Sequence, residues 1–297
     1  MDLAKYRVTN GKDFKLKQHD TNDRGTYSGK KEAKEPLAAN LELLRELQDK
    51  LYAHNQYGVL VVLQAMDAAG KDGAIKHVMS GLNPQGVLVK ACKTPSVEEL
   101  DHDYLWRSFP WLPAYGNIAI FNRSYYEDVL VVKVHNLLPA AKQTTRDGGP
   151  DIWKLRYRQI RDLERYLTEN GIIVVKLFLN ISRDEQGERL LARIDEPAKN
   201  WKFSAGDVHE RQFWDDYMDT YEEMIQGTAT EMAPWYIIPA DRKWFSRLLI
   251  SEVLVETLQK LPLAYPEVTD EARAAMVTYR KMLLEEGKDL PSGGELQ

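Results

Sequence analysis

The sequence of 297 residues predicts an α/β fold, a parallel sheet flanked by helices on both faces. Two observations carry this expectation. Short, continuous apolar runs at 59–63, 87–89, 118–121, 172–179 and 236–238 read as strands buried on both faces. Between them lie longer stretches with helical spacing, at 97–109, 151–170, 182–195, 208–226, 244–261 and 269–286. Strands alternating with helices are the pattern of a parallel sheet.

Taken in order, residues 1–35 are polar, with breaks at Gly11, Gly25 and Gly29. They read as an N-terminal arm wrapping the domain or a partner subunit, or as a partly disordered segment. From Pro36 the spacing turns helical, with Leu37, Leu41, Leu44, Leu47 and Leu51 three or four apart. One domain is expected over 36–287, and residues 288–297, with Pro291, Gly293 and Gly294, read as a flexible tail.

With 43% hydrophobic and 29% charged residues and a net charge of −5, the chain reads as an ordinary soluble protein. Its acidity weighs against a nucleic-acid coat or a membrane-surface binder, although a local basic groove can hold a polyanion within an acidic whole. The single cysteine, Cys92, rules out an internal disulfide and fits a reducing cytoplasm. No apolar run approaches the ~20 residues that span a bilayer, and the first residues do not resemble a signal peptide. The six histidines show no zinc spacing, and there is no GxSxG elbow.

The stretch VLVVLQAMDAAGKDGAIKHVM joins a buried strand to a helix through a small-residue loop, the setting of a phosphate-cradling loop. Ala68, Ala69, Gly70 and Gly73 supply close backbone approach, and Lys71 supplies a charge for terminal phosphates. The usual pattern is G-x-x-x-x-G-K-[ST]; here Ala65 replaces the first Gly and Asp72 the hydroxyl residue. A carboxylate in such a loop repels phosphate unless a cation lies between, so Asp67 is the candidate Mg2+ ligand. The structural alternative makes Asp67 a turn residue and Asp72 a helix N-cap, and it weighs more for Asp72 than for Asp67. The reading requires Asp67 and Lys71 to face each other across one pocket.

The strand at 117–121 ends in Asn122-Arg123-Ser124-Tyr125-Tyr126-Glu127, which aims Arg123 at the crevice beyond the strand ends. A guanidinium there stabilises charge on a transferring phosphoryl group, or it pairs with Glu127 or Asp128. Ser182 and Glu185 read as a capping box opening a helix that carries Arg183, Arg189 and Arg193 towards Lys202 and Gly206. This region, about 182–211, reads as a helical lid. Between 151 and 211 there are 12 Lys plus Arg against 11 Asp plus Glu, a net of +1, so most of these charges read as solvated pairs, and the phosphate-binding reading is confined to Arg183, Arg189, Arg193 and Lys202 near the expected lid.

The motifs VLQAMDAAGKDGAIKHVM, GLNPQGV, DYLWR, FNRSYYEDVLV, ISRDEQ, WKFSAGD and APWYIIPAD, spread over roughly 57–250, resemble those of the polyphosphate kinase 2 family. The resemblance implies a P-loop kinase-like fold, similar to thymidylate kinase, with a lid. It implies Mg2+-dependent, reversible phosphoryl transfer between inorganic polyphosphate and AMP, ADP or ATP, in a homo-oligomer. Asp67 then looks like the metal-binding acid, Lys71 like the phosphate-loop lysine and Arg123 like a catalytic arginine. Arg183 and the Lys202 region look like lid contacts to phosphate chains. Many relatives read FDRSWYN where this chain has FNRSYYE; Asn122 with Glu127 resembles the subgroup acting on both AMP and ADP. The rival readings are an ATP-dependent nucleoside-monophosphate kinase and a non-catalytic nucleotide or polyphosphate sensor.

Overall fold

Strand β2, Gly58–Gln64, is buried along its whole length, which is why it can be apolar at every position. It pairs in parallel with β4, Ile118–Asn122, on one side and with β5, Ile172–Asn180, on the other. Strand β3, Val87–Ala91, lies outside β4, and β6, Trp235–Pro239, lies outside β5, both parallel. In this computed structural model, residues 1–138 and 151–286 are described, so the expected tail at 288–297 lies outside the described residues.

Among the described residues the strands form one six-stranded sheet, ordered β1-β6-β5-β2-β4-β3. The sixth strand was not expected: β1, Arg7–Val8, runs antiparallel to β6 and covers its edge. A two-residue strand has no periodicity to read, and its register comes from its partner, Tyr236 and Trp235. At the other edge β3 leaves Leu88 37% and Val89 48% exposed, so its apolar run does not mark a strand buried on both faces.

Residues 1–33 lie against the rest of the chain. Leu3, Tyr6, Phe14 and Leu16 are buried in the core, and Leu16 donates its N–H to Glu222 at 2.9 Å. Gly11 passes so close to the Gln226 backbone that a Cβ would meet its carbonyl oxygen at 2.2 Å. Helix α1, Lys34–His54, then packs on α9, Lys243–Gln259, as does α2, Lys71–Val78. Helices α5, Ile152–Glu169, and α8, Trp214–Thr228, pack on each other, and both α5 and α9 contact β5.

Two expected helices are interrupted. Over 97–109 the chain forms α3, Val97–Asp101, capped by a Ser96–Glu99 capping box, then a 3-10 turn, Trp106–Trp111. The break falls at extended His102 and at Asp103, whose carboxylate accepts from Leu105 N–H at 3.0 Å, a local bond that competes with helix. Over 208–226 a short helix α7, Ala205–Glu210, passes through a 3-10 turn into α8. A short helix α4, Val131–Val134, follows β4, and α6, Arg183–Asp195, follows β5. No described helix is long and apolar enough to cross a membrane. Backbone contacts set Met1–Leu263 apart from a second unit, Ala264–Gln297, whose described part holds α10, Asp270–Glu286.

The centre of the sheet is polar at one point. Lys176 on β5 is fully buried and donates to Glu164 Oε2 at 2.7 Å and to the Thr228 carbonyl at 2.8 Å. Burial pushes the lysine below its ordinary pKa, against the pull of Glu164. Lys176→Met leaves Glu164 buried without its counter-charge, and urea unfolding is expected to show a loss of roughly 3–5 kcal/mol; a loss below about 1 kcal/mol contradicts a charged pair.

Candidate active site

Between β2 and α2 the chain makes the loop 65–70, in which Ala65, Met66 and Ala69 are buried. Ala68 sits at φ +60° and Gly70 at φ +114°, so the loop turns through left-handed backbone twice. Gly70 is the N-cap of α2 and tolerates that φ because it has no Cβ. Asp72 is therefore not the cap; its carboxylate accepts the Asn122 amide at 2.7 Å across the β2–β4 crevice.

Side chains account for every loop carbonyl from 65 to 69. Lys71 Nζ donates to Ala65 O at 2.8 Å and to Met66 O at 3.2 Å. Gln186 Nε2 donates to Asp67 O at 3.0 Å. Arg189 Nη1 donates to Ala68 O at 3.1 Å and Ala69 O at 2.7 Å. In a trans peptide the N–H points opposite the C=O, so anchoring the carbonyls inward turns the following N–H groups out towards the crevice. The N–H groups of Asp67, Ala68 and Gly70 have no acceptor among the described residues. Such a concave set of amides at a helix N-terminus binds anions.

Arg189 thus enters the site as a brace. Its other donors reach Ala240 O at 2.6 Å, Asp241 O at 3.2 Å and, through Nε, Glu185 Oε1 at 2.7 Å. All five guanidinium N–H groups are used, which corrects its expected role as a lid contact to phosphate. The expected capping box is corrected with it. Ser182 Oγ does accept from Glu185 N–H at 3.2 Å, but Glu185 pairs with Arg189 and the Ser182 N–H goes to Asp241 at 2.7 Å.

Arg123, one residue beyond β4, stands at φ +63° with its N–H on Leu63 O at 3.1 Å. Its guanidinium is hydrogen-bonded to Asp67 Oδ1 and lies 3.6 Å from Glu127. Burial works against the arginine charge, but Glu127 and Asp67 outweigh it and raise its pKa. Burial also raises the Glu127 carboxyl, opposed by Arg123 and Lys71. With its amide oriented to satisfy both ends, Gln64 donates to Glu127 at 2.9 Å and accepts from Ser124 Oγ at 3.0 Å. Lys71 is 9% exposed and burial lowers its pKa, with Asp67 the strongest opposing charge. Asp67 and Lys71 share one site, yet the lysine lies beneath the loop on its carbonyls while Asp67 turns to Arg123.

The other cations of the segment 182–211 are placed differently. Arg193 pairs with Asp207 and reaches Lys202 O at 3.3 Å, so it ties that segment together and does not project into the crevice. Arg183 is held by backbone: its guanidinium donates to Arg211 O at 3.4 Å, and Arg211 returns a bond to Arg183 O at 2.8 Å. Lys202 is exposed, 4.9 Å from the Trp201 ring. Neither Arg183 nor Lys202 makes an ion pair among the described residues. Gln186 closes the ISRDEQ motif and Arg189 was a candidate phosphate contact, but nothing in the sequence pairs either side chain with the loop carbonyls they brace.

The donor set suits a hard divalent cation. Asp67 Oδ2 has no hydrogen bond among the described residues, and Glu127 is a second carboxylate on the same arginine. No described group of three or more His, Cys, Asp or Glu side chains could hold an ion alone. With only these two carboxylates, a divalent cation held here would need further oxygen ligands from outside the protein.

Two measurements check this description. Arg189→Lys keeps the charge but cannot fork across four carbonyls; a loss of about 3 kcal/mol in urea unfolding is expected, with faster hydrogen exchange over 65–71. Asp128, at the end of the same motif, is pushed up to about 6 by burial, against Arg156 and Arg107. A raised carboxyl pKa adds stability below its ordinary value, and that stability is lost as pH rises through about 6. Relative to wild type, Asp128→Asn should therefore gain up to roughly 3 kcal/mol between about pH 4 and about pH 8; a pH-independent difference contradicts the shift.

Residues 26–263 match the model of the family described as Polyphosphate kinase 2. The chain is 49% identical over 281 residues to the ADP-polyphosphate phosphotransferase of Rhodopseudomonas palustris, covering 94% of this chain and 97% of that protein. It is 48% identical over 266 residues to the AMP/ADP-polyphosphate phosphotransferase of Meiothermus ruber, covering 89% and 96%. The crystal structure of Polyphosphate Kinase 2 from Arthrobacter aurescens TC1 superposes with a TM-score of 0.83 at 42% identity, over 92% of this chain and 95% of that one. The loop geometry, the arginine at the end of β4 and these likenesses agree, and the chain belongs to the polyphosphate kinase 2 family.

Proposed function

We infer that this chain is a polyphosphate:nucleotide phosphotransferase, moving a phosphoryl group reversibly between inorganic polyphosphate and AMP or ADP with Mg2+. The observation that carries the reading is Arg123, fixed between Asp67 and Glu127 at the open rim of the amide-lined loop. Phosphoryl transfer needs positioning and charge neutralisation, and little covalent chemistry from the protein.

The amides of the loop and the α2 N-terminus receive phosphate oxygens. Lys71 Nζ, now on two carbonyls, lies where it can exchange one of them for a phosphate oxygen. Arg123 places its charge beside the group in flight. A phosphate acceptor is already anionic, so no general base is required. Asp67, with Glu127 behind Arg123, would hold Mg2+, which would supply charge neutralisation for the phosphates. Arg183 and Lys202 are the lid cations left to meet a phosphate chain.

Asn122 and Glu127 support the dual AMP and ADP reading, as does the printed name of the Meiothermus ruber relative; the Rhodopseudomonas palustris relative is named for ADP alone. Incubation with polyphosphate, Mg2+ and either AMP or ADP, without ATP, is expected to yield ADP and ATP, and to stop when EDTA removes the metal. No product from either nucleotide would sink the reading and favour an ATP-dependent kinase. The family resemblance also implies a homo-oligomer, which light scattering checks.

Lys71→Ala should lower turnover by on the order of 10²-fold or more. Because Lys71 also holds two loop carbonyls, a stability loss of about 1–3 kcal/mol should accompany it. Near wild-type turnover in a folded variant means the site is misplaced.

A further inference from the structure

Beneath the catalytic rim lies a buried polar cluster that touches no substrate position. Tyr125 and Tyr126, the two residues of the FNRSYYE motif between Arg123 and Glu127 that follow Ser124, are 1% and 0% exposed. Both hydroxyls donate to the same oxygen, Glu164 Oε1, at 3.0 and 2.7 Å. The other carboxylate oxygen takes Lys176 Nζ at 2.7 Å, and the lysine also reaches Tyr126 Oη at 3.3 Å and Thr228 O at 2.8 Å. Every donor and acceptor named here is partnered, on four elements, α5, β5, the end of α8 and the turn after β4.

Stability is a weak reason for such a cluster. A buried ion pair often contributes less than apolar residues of the same volume, and its best-attested use is to specify one arrangement. What needs specifying here is the turn 123–128. Arg123 stands in left-handed backbone, a conformation a non-glycine residue holds only when its surroundings impose it. On its N-terminal side the constraint is the ladder bond to Leu63 O. On its C-terminal side it is the pair of tyrosines, whose rings pack 5.1 Å apart, with Tyr126 4.9 Å from Trp235. Glu127, the next residue, is then delivered back to the Arg123 guanidinium.

We infer that Glu164, neutralised by Lys176, is a positioning residue: through the Tyr125 and Tyr126 hydroxyls it sets where Arg123 and Glu127 stand at the phosphate loop. The apolar mass of the tyrosines could be supplied by phenylalanine, so the hydroxyls carry the positional information. The kinetic arm of the test rests on the function proposed above; the exchange arm does not.

The experiment is the Tyr125→Phe/Tyr126→Phe double variant, with Tyr126→Phe alone as the milder form should the double fail to fold. Hydrogen exchange of the segment 122–128 is expected to quicken while β2 and β5 keep wild-type protection. In the polyphosphate assay kcat is expected to fall by roughly 10²-fold, the scale of a small misplacement of a catalytic group, with KM for ADP within about threefold. Unchanged exchange over 122–128 overturns the inference, whatever the assay gives. Equal loosening of the whole sheet, or an unchanged kcat in an active wild-type background, overturns it too, because the cluster is then merely structural. An inactive wild type defeats the proposed function instead, and the exchange arm still decides the inference.

Discussion

The phosphate loop depends on where its carbonyls point. Five consecutive carbonyls, from Ala65 to Ala69, are held by Lys71, Gln186 and Arg189, and the geometry of the trans peptide then presents amides to the crevice. Without those acceptors satisfied, a buried loop of this kind would carry several unpaired polar groups, each costing about 1–3 kcal/mol. Gln186 and Arg189 both come from α6, so the loop and that helix are joined directly by hydrogen bonds.

Charge at the rim follows from the same economy of partners. Asp67 in the loop, Arg123 after β4 and Glu127 one turn later come from two adjacent strands, and their proximity is a consequence of the β2–β4 pairing in which Leu63 lies beside Asn122. The arginine carries its charge in a half-buried place, where two carboxylates balance it. Burial raises the Glu127 carboxyl, and the arginine and Lys71 oppose that rise. A cation and a phosphate chain would enter a site where each charge is already balanced by one of the other sign.

Elsewhere the fold departs from simple periodicity where single side chains or partners intervene. Asp103 takes the Leu105 N–H at the point where a helix was expected to run on. The arm at 1–33 has no repeating apolar pattern, yet four scattered apolar residues reach the core and two residues extend the sheet. Its hydrogen bonds go to Glu222, Gln226 and Asp241, far away in sequence.

Much of this protein was legible from its residues: the buried strands, most of the helices, and the strand–loop–helix that brings Asp67 and Lys71 close to Arg123, although the lysine lies on the loop carbonyls and does not face Asp67 across one pocket as expected. These follow from local rules, since apolar runs, loop composition and strand-end position are properties of neighbouring residues. The sequence left three matters open that folding alone decides. Arg189 and Arg193 looked like phosphate ligands because they share a helix with Arg183, but distant carbonyls and Asp207 claim their donors. Asp72 looked like a cap until Gly70 took that place and Asn122 took its carboxylate. Glu164 and Lys176, twelve residues apart on a helix and a strand, carried no signal of their pairing, because a buried pair is defined by what surrounds it and only the packed sheet brings two tyrosines to one carboxylate.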